Sequence, residues 1–169
     1  MPVVSAGLLL VRRTAATDAS GAASGAAGAA RLEVFIAHMG GPFWARKREG
    51  AWSIPKGEFD PSSEDALAAA RREFAEELGV PAPEGEPVDL GEIRYGSGKR
   101  IRVFALEAPA FELAEVASNT FELEWPPRSG RRQSFPEIDE ARWTDVDTAR
   151  PLLVAGQRPV LDAALRAFP

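Results

Sequence analysis

The chain has 169 residues, 45% of them hydrophobic and 27% charged, with a formal net charge of −5 and no cysteine. That length suits one well-packed domain, residues 1–169, and is short for two. The missing thiols exclude disulfide frameworks and thiolate metal sites, and the negative balance argues against general nucleic-acid binding though not against a small phosphate ligand.

From the N-terminus, Val3 to Val11 and Leu32 to Ala37 are apolar, strand-compatible runs. The first is too short to cross a bilayer, and Arg12-Arg13 follow it where a secretory signal would place basic residues in front. The expectation is a soluble, cytoplasmic protein without a membrane partner. Between the two runs, Thr14 to Ala30 is almost entirely Ala, Gly, Ser and Thr, and Gly21, Gly25 and Gly28 interrupt any helix. We expect a flexible hairpin excursion there, without chemistry, the alternative being a transient Ala-rich helix.

His38 to Trp44 reads as a loop because Gly40, Gly41 and Pro42 fall inside it. His38, the only histidine, reads as a structural residue at a strand end. Phe43 and Trp44 either stack on a nucleobase or close an edge of the core. Basic residues group at Arg46-Lys47-Arg48, at Arg94 with Lys99-Arg100-Arg102, and at Arg128 with Arg131-Arg132. Each group taken alone reads as solvated surface.

Ala51 to Ile54 reads as a short strand entering Pro55-Lys56-Gly57, where a lysine suits a charge-dense polyphosphate. A helix then follows. Ser62 and Asp65 have capping-box spacing, and Gly79 followed by Pro81 is a stop signal, so the spacing predicts a helix from about Ser63 to Leu78. Leu67, Ala70, Phe74 and Leu78 form its apolar stripe. Glu73, Glu76 and Glu77 lie three and four residues apart, inside an arc of roughly 100° on a neighbouring stripe. Three carboxylates on one rigid face suit a hard cation. Charged helix faces are usually only solvated, however, and the like-charge pair Glu73/Glu77 costs a helix only about 0.2 to 0.5 kcal/mol. The surrounding string decides the matter.

Gly57, Glu64 and Arg72-Glu73-Phe74-Ala75-Glu76-Glu77-Leu78-Gly79-Val80 closely resemble the Nudix box: Gly, five residues, Glu, seven residues, then Arg-Glu-aliphatic-any-Glu-Glu-any-Gly-aliphatic. Six fixed identities at a background of roughly 6% each make a chance match rarer than about one in a million. The chain departs from the pattern twice. Six residues separate Gly57 from Glu64, an insertion the turn-like Asp60-Pro61-Ser62 absorbs, and Phe74 fills the aliphatic place on the buried stripe.

The resemblance implies an α/β fold, the Nudix-type α/β/α sandwich with a mixed β-sheet between helices. It implies hydrolysis of a phosphoanhydride bond in a nucleoside or dinucleoside polyphosphate with Mg²⁺ or Mn²⁺. By the same resemblance Glu73 and Glu77 are metal ligands, Glu76 is a ligand or base, the Gly57 carbonyl completes the coordination, Arg72 steers Glu76, and Lys56 lies near phosphate. Arg46 and Trp44 are further substrate-binding candidates. Glu64 falls nearly opposite the glutamate cluster on the wheel and takes a supporting role. Family members are often dimers, so a homodimer is an expectation. The alternative function is a Nudix-like nucleotide-binding domain that has lost hydrolysis, whose hallmark would be loss of box carboxylates; none is lost here.

Downstream, Val88 to Tyr95 and Arg100 to Glu107 read as strands. Alternation puts Arg100 and Arg102 on one face and Ile101 and Val103 on the other. If the polar face looks into the cleft, those arginines bind substrate phosphate; if outward, they are surface. Ser118 to Glu124 alternates again before breaking at Pro126-Pro127, and Arg142 to Val146 reads as a closing strand. Nudix enzymes often use one carboxylate outside the box, and Glu124 and Glu137 are the candidates, Glu137 ahead because it immediately precedes a strand. Leu152 to Ala155 and Val160 to Phe168 read as an interrupted helical terminus, with Leu161, Ala164, Leu165 and Phe168 as core.

Overall fold

A computed structural model describes residues 4–15 and 30–169. Strand β1 (Val4–Thr14) and strand β2 (Arg31–Met39) are antiparallel, paired from Val11↔Val34 to Thr14↔Arg31. Of the excursion expected over Thr14 to Ala30, residues 16–29 lie outside the described residues, and Thr14 itself closes β1.

Away from that hairpin end the two strands splay, and the segment between Ala51 and Phe59 fills the fork. Strand β3 (Trp52–Ser53) pairs with Ala37 and His38 of β2, while strand β4 (Lys56–Glu58) pairs with Ser5, Ala6 and Gly7 of β1. Met39 N–H donates to Ala51 O at 3.0 Å and Leu8 N–H to Pro55 O at 3.1 Å, so the wedge satisfies the backbone groups that splaying frees. The sheet continues from β1 to strand β6 (Arg100–Glu107) in parallel, and from β6 to strand β5 (Val88–Arg94). Strand β9 (Ile138–Asp145) takes the outer edge of β2, and among the described residues the sheet has seven strands. A separate hairpin pairs strand β7 (Thr120–Glu124) with strand β8 (Arg132–Pro136).

Helices cover both faces, which is why β1 reads as a continuous apolar run and not as an alternation. Ala6, Leu8 and Leu10 face helix α1 (Ala66–Leu78), which returns Ala69, Ala70, Phe74 and Leu78, all fully buried. Leu9 and Val11 face the other core, closed by helix α2 (Val146–Leu152) and helix α3 (Pro159–Ala167). Burying Phe74 or Leu78 contributes about 1.5 to 3 kcal/mol each. The architecture is the mixed-sheet α/β sandwich that the sequence implies. No helix among the described residues is long and apolar enough to cross a membrane.

Several boundaries move. Helix α1 begins at Ala66, not Ser63, because Ser62 turns its hydroxyl to Asp60 at 2.7 Å and Asp65 caps the helix instead, accepting from Leu67 N–H and Ala68 N–H. His38 lies inside β2. Strand β8 has no counterpart in the expectations, and α2 starts at Val146, where Asp145 caps it by accepting from Thr148 N–H, so Val146 is not part of the closing strand. Leu165 is exposed and not core.

Candidate active site

Helix α1 is fixed at both ends. Gly79 closes it in the left-handed region at φ 79°, and a side chain there would meet Ala117 O at 2.6 Å. With its apolar stripe docked on β1, the helix turns Glu73 and Glu77 toward β4. Lys56 N–H donates to Glu77 Oε2 at 2.9 Å. Gly57 lies directly against the Glu73 carboxylate, so that any Cβ at position 57 would overlap it.

The electrostatics follow from this packing. Burial pushes Glu77 up to about 7, Lys56 opposes the shift through its charge and its N–H, and the charges of Glu73 and Glu137 reinforce it. Glu73 is also raised, first by burial, with Arg72 opposing and Glu76 and Glu137 adding to it. Glu137 is therefore close enough for its charge to act on both box carboxylates. Glu124 lies at the far end of the β7–β8 hairpin, where it accepts from Gly130 N–H at 3.0 Å.

Arg72 gathers the acidic groups. It makes a two-pronged pair with Glu64, Nε to Oε1 and Nη2 to Oε2 both at 2.9 Å, and Nη1 donates to Glu73 at 2.7 Å and reaches Glu76 at 3.4 Å. Its hydrogen bonds to Glu64 and then Glu73 hold the guanidinium well above its ordinary pKa. Glu64 is thus not opposite the cluster: it precedes the helix, so the wheel does not apply to it, and Arg72 draws it in. Arg72 engages Glu64 and Glu73 more closely than Glu76.

The segment before β7 completes the arrangement: Ser118 and Asn119, expected to belong to the alternating run, precede the strand, which begins at Thr120. Asn119 N–H donates to Glu76 O at 3.1 Å and Ala117 N–H to Leu78 O at 3.3 Å, taking up carbonyls at the end of α1. Glu137 N–H in turn donates to Asn119 O at 2.9 Å, while Gly40 N–H donates to Glu137 O at 2.8 Å. Ser118 Oγ meets both Ile138 N–H (3.2 Å) and Ile138 O (3.1 Å). Glu137 is consequently tied to the helix that carries the other carboxylates. Nothing in the periodicity of residues 117–119 marks this, because the contacts are made chiefly by backbone.

The remaining candidates are more scattered. Arg100 and Arg102 lie on the α1 face of β6 but pair with Glu92 and Asp89 of β5, in an open groove of about 560 Å³ beside the first turn of α1. The structure does not bring them into contact with the glutamate cluster. Trp44 packs against the core with Lys47 Nζ 5.0 Å above its ring, whereas Phe43 and Arg46 are exposed. His38 is buried, Nδ1 at 2.6 Å from Asp139 Oδ1 and Nε2 at 2.8 Å from Lys47 O, and so pins the basic loop to β9.

Glu73, Glu76 and Glu77 offer only oxygen donors and an excess of negative charge, chemistry of the kind that suits Mg²⁺ or Mn²⁺. Among the described residues no three acidic or histidine side chains are already closed to ligand distance. Arg72 and Lys56 N–H take up part of the Glu73 and Glu77 oxygens. The close approach of the Glu73 carboxylate to the Gly57 backbone, which a side chain there would block, and the opposed ionisation of Glu77 are compatible with a cation.

The sequence matches the NUDIX domain family over residues 30–164. It is 30% identical over 134 residues to an RNA pyrophosphohydrolase of Acidiphilium cryptum (strain JF-5), covering 69% of this chain and 71% of that one. The fold is similar to an Ap4A hydrolase of C. elegans in a binary complex, with TM-score 0.60 and 17% identity over 98% of this chain and 96% of that one. It is likewise similar to the NUDIX domain of Shewanella oneidensis NrtR complexed with ADP ribose, with TM-score 0.62 and 12% identity over 100% and 90% of the two chains.

Proposed function

The chain belongs to the Nudix family and is a hydrolase of pyrophosphate bonds, and from that premise we propose that it is a divalent-cation-dependent pyrophosphohydrolase acting on a nucleoside or dinucleoside polyphosphate. The observation that carries the reading is the half-buried Glu77 carboxylate, held against β4 by Lys56 N–H at 2.9 Å while Gly57 lies directly against Glu73; burial and the charges of Glu73 and Glu137 also push its pKa up. Perturbed carboxylates of this kind cluster at functional sites, and a bound cation would offset their mutual repulsion. A relative named for RNA pyrophosphohydrolysis and a structural neighbour named for Ap4A hydrolysis both support a nucleotide-linked polyphosphate.

Glu73, Glu76, Glu77 and the Gly57 carbonyl would hold Mg²⁺ or Mn²⁺, which when bound neutralises phosphate charge and acidifies a coordinated water. Lys56 lies beside Glu77 and presents its ammonium to the phosphate chain. Arg72 positions Glu73 and Glu64 and is itself neutralised by them. Glu137 would take the proton of the attacking water, a role supported by its exposure, its charge effect on Glu73 and Glu77 and the backbone bonds that tie it to Asn119 and Gly40. The site is expected to work in the cytoplasm on a small phosphorylated substrate, with a homodimer as the assembly to look for.

The test is a panel of nucleoside triphosphates, dinucleoside polyphosphates, 5′-triphosphorylated oligonucleotides and nucleotide sugars, incubated with Mg²⁺ or Mn²⁺ and followed by product analysis. Cleavage at an anhydride bond that chelator abolishes is the expected result. Binding without cleavage across the panel would overturn the proposal in favour of a nucleotide-binding domain.

A further inference from the structure

The loop before one basic run and the hairpin that carries another, widely separated in sequence, meet in the fold. The loop after β2 runs along the β7–β8 hairpin: a Cβ on Gly41 would lie 2.7 Å from the Phe121 ring, and Phe43 meets Trp125 edge to face, with centroids 5.4 Å apart at 82°. Phe43 is thereby brought to the base of the hairpin tip that carries Arg128 and Arg131. Arg48 and Arg132 are paired, with Glu140 and Glu122. Among the described residues Arg128 and Arg131 form no ion pair, and the nearby Glu124 is engaged by Gly130 N–H.

Phe43 is 56% exposed, a large aromatic surface left in water. Arg128 adopts φ 63°, a left-handed conformation that glycine would adopt at less cost. The tip that imposes this is over-determined: Ser129 N–H bonds to Pro126 O, Arg131 N–H to Ser129 Oγ, and Gln133 Nε2 to Trp125 O. A rigid turn thus presents an arginine beside an aromatic pair on a chain whose net charge is −5. The same two elements lead back to the carboxylates, since Gly40 N–H is bonded to Glu137 O and Pro136 ends β8. The four-residue register from Pro136 to Arg132 puts the tip about 14 Å out along the ribbon.

We propose that Phe43, Trp125, Arg128 and Arg131 form a binding site for a second nucleotide unit, a base with its phosphate, lying beyond the anhydride that is cleaved. The aromatic surfaces take a base by stacking, without hydrogen-bond readout, and the guanidinium groups take phosphate oxygens. This rests on the carboxylate cluster being the hydrolytic centre. The unit has two sources, the second nucleoside of a dinucleoside polyphosphate or the second nucleotide of a 5′-triphosphorylated oligonucleotide.

The test compares wild type, Phe43→Ala and Arg128→Gln on diadenosine tetraphosphate, a 5′-triphosphorylated dinucleotide and ATP. For substrates with two nucleotides, each variant is expected to raise KM about tenfold with little change in kcat, and to leave ATP hydrolysis within about twofold. The substrate whose KM moves identifies the source of the unit. Equal effects on ATP and on both two-nucleotide substrates, or no effect on any, would overturn the site. Calorimetry of the same ligands with Glu77→Gln separates the two levels. Tight binding that Phe43→Ala weakens, with no hydrolysis by wild type, would refute the hydrolytic reading and leave the nucleotide site standing.

Discussion

Glu77 ties stability to pH. Its folded pKa of about 7 lies above the ordinary 4.5, so the protonated form is the one the fold favours. Its contribution is fully present below about pH 4.5 and is lost as pH rises through about 7. In chelator, Glu77→Gln is therefore expected to match wild type in denaturant unfolding at acid pH and to exceed it at pH 8 by up to about 3 kcal/mol. A constant difference across that range would contradict the assignment. Gly57 makes a complementary case. A methyl group at 57 overlaps only the end of a flexible glutamate, so Gly57→Ala should keep its melting temperature while moving the Glu73 carboxylate. Hydrolysis is expected to fall on the order of 100-fold. These residues were legible in the sequence because the chemistry requires their types at fixed spacings. Glu64 was misplaced because a wheel describes only residues inside a helix, and the cap proved to be Asp65.

At the scale of elements, helix α1 and the fork between β1 and β2 do the positioning, and residues 117–119 carry it across to Glu137. Ser118 meets the N–H and the C=O of buried Ile138 as a neighbouring strand would. Ser118→Ala leaves both groups unpartnered and should lower unfolding free energy by about 1 to 2 kcal/mol, with kcat reduced more than KM is altered. Thr at 118 should restore both quantities; equal kcat for Ala and Thr would refute the positioning role. Helix α1 was readable from its apolar period and its stop signal. Strand β8 was not, because Arg132-Gln133-Ser134 is polar and exposed, and its pairing with β7 is decided by a turn and not by burial. The start of α2 was hidden for a related reason, since Val146 suits a strand equally well and only the Asp145 cap decides.

At the scale of the whole molecule, the sheet separates two cores, and the carboxylates gather where β4 wedges open its centre. Alternation had split Arg100 and Arg102 from Ile101 and Val103 correctly, but the choice between cleft and surface depended on which strand pairs with β6. The fold puts β5 there, and its Glu92 and Asp89 form ion pairs with Arg100 and Arg102. Arg100 and Arg102 therefore already have carboxylate partners, whereas Lys56 stands beside the glutamate cluster. The most direct test of the hydrolytic assignment is the Mg²⁺-dependent turnover of Glu77→Gln beside wild type on the best substrate of the panel, with circular dichroism to confirm the fold. A loss of at least about 100-fold in kcat with the spectrum unchanged is the predicted result. An undiminished rate would contradict it.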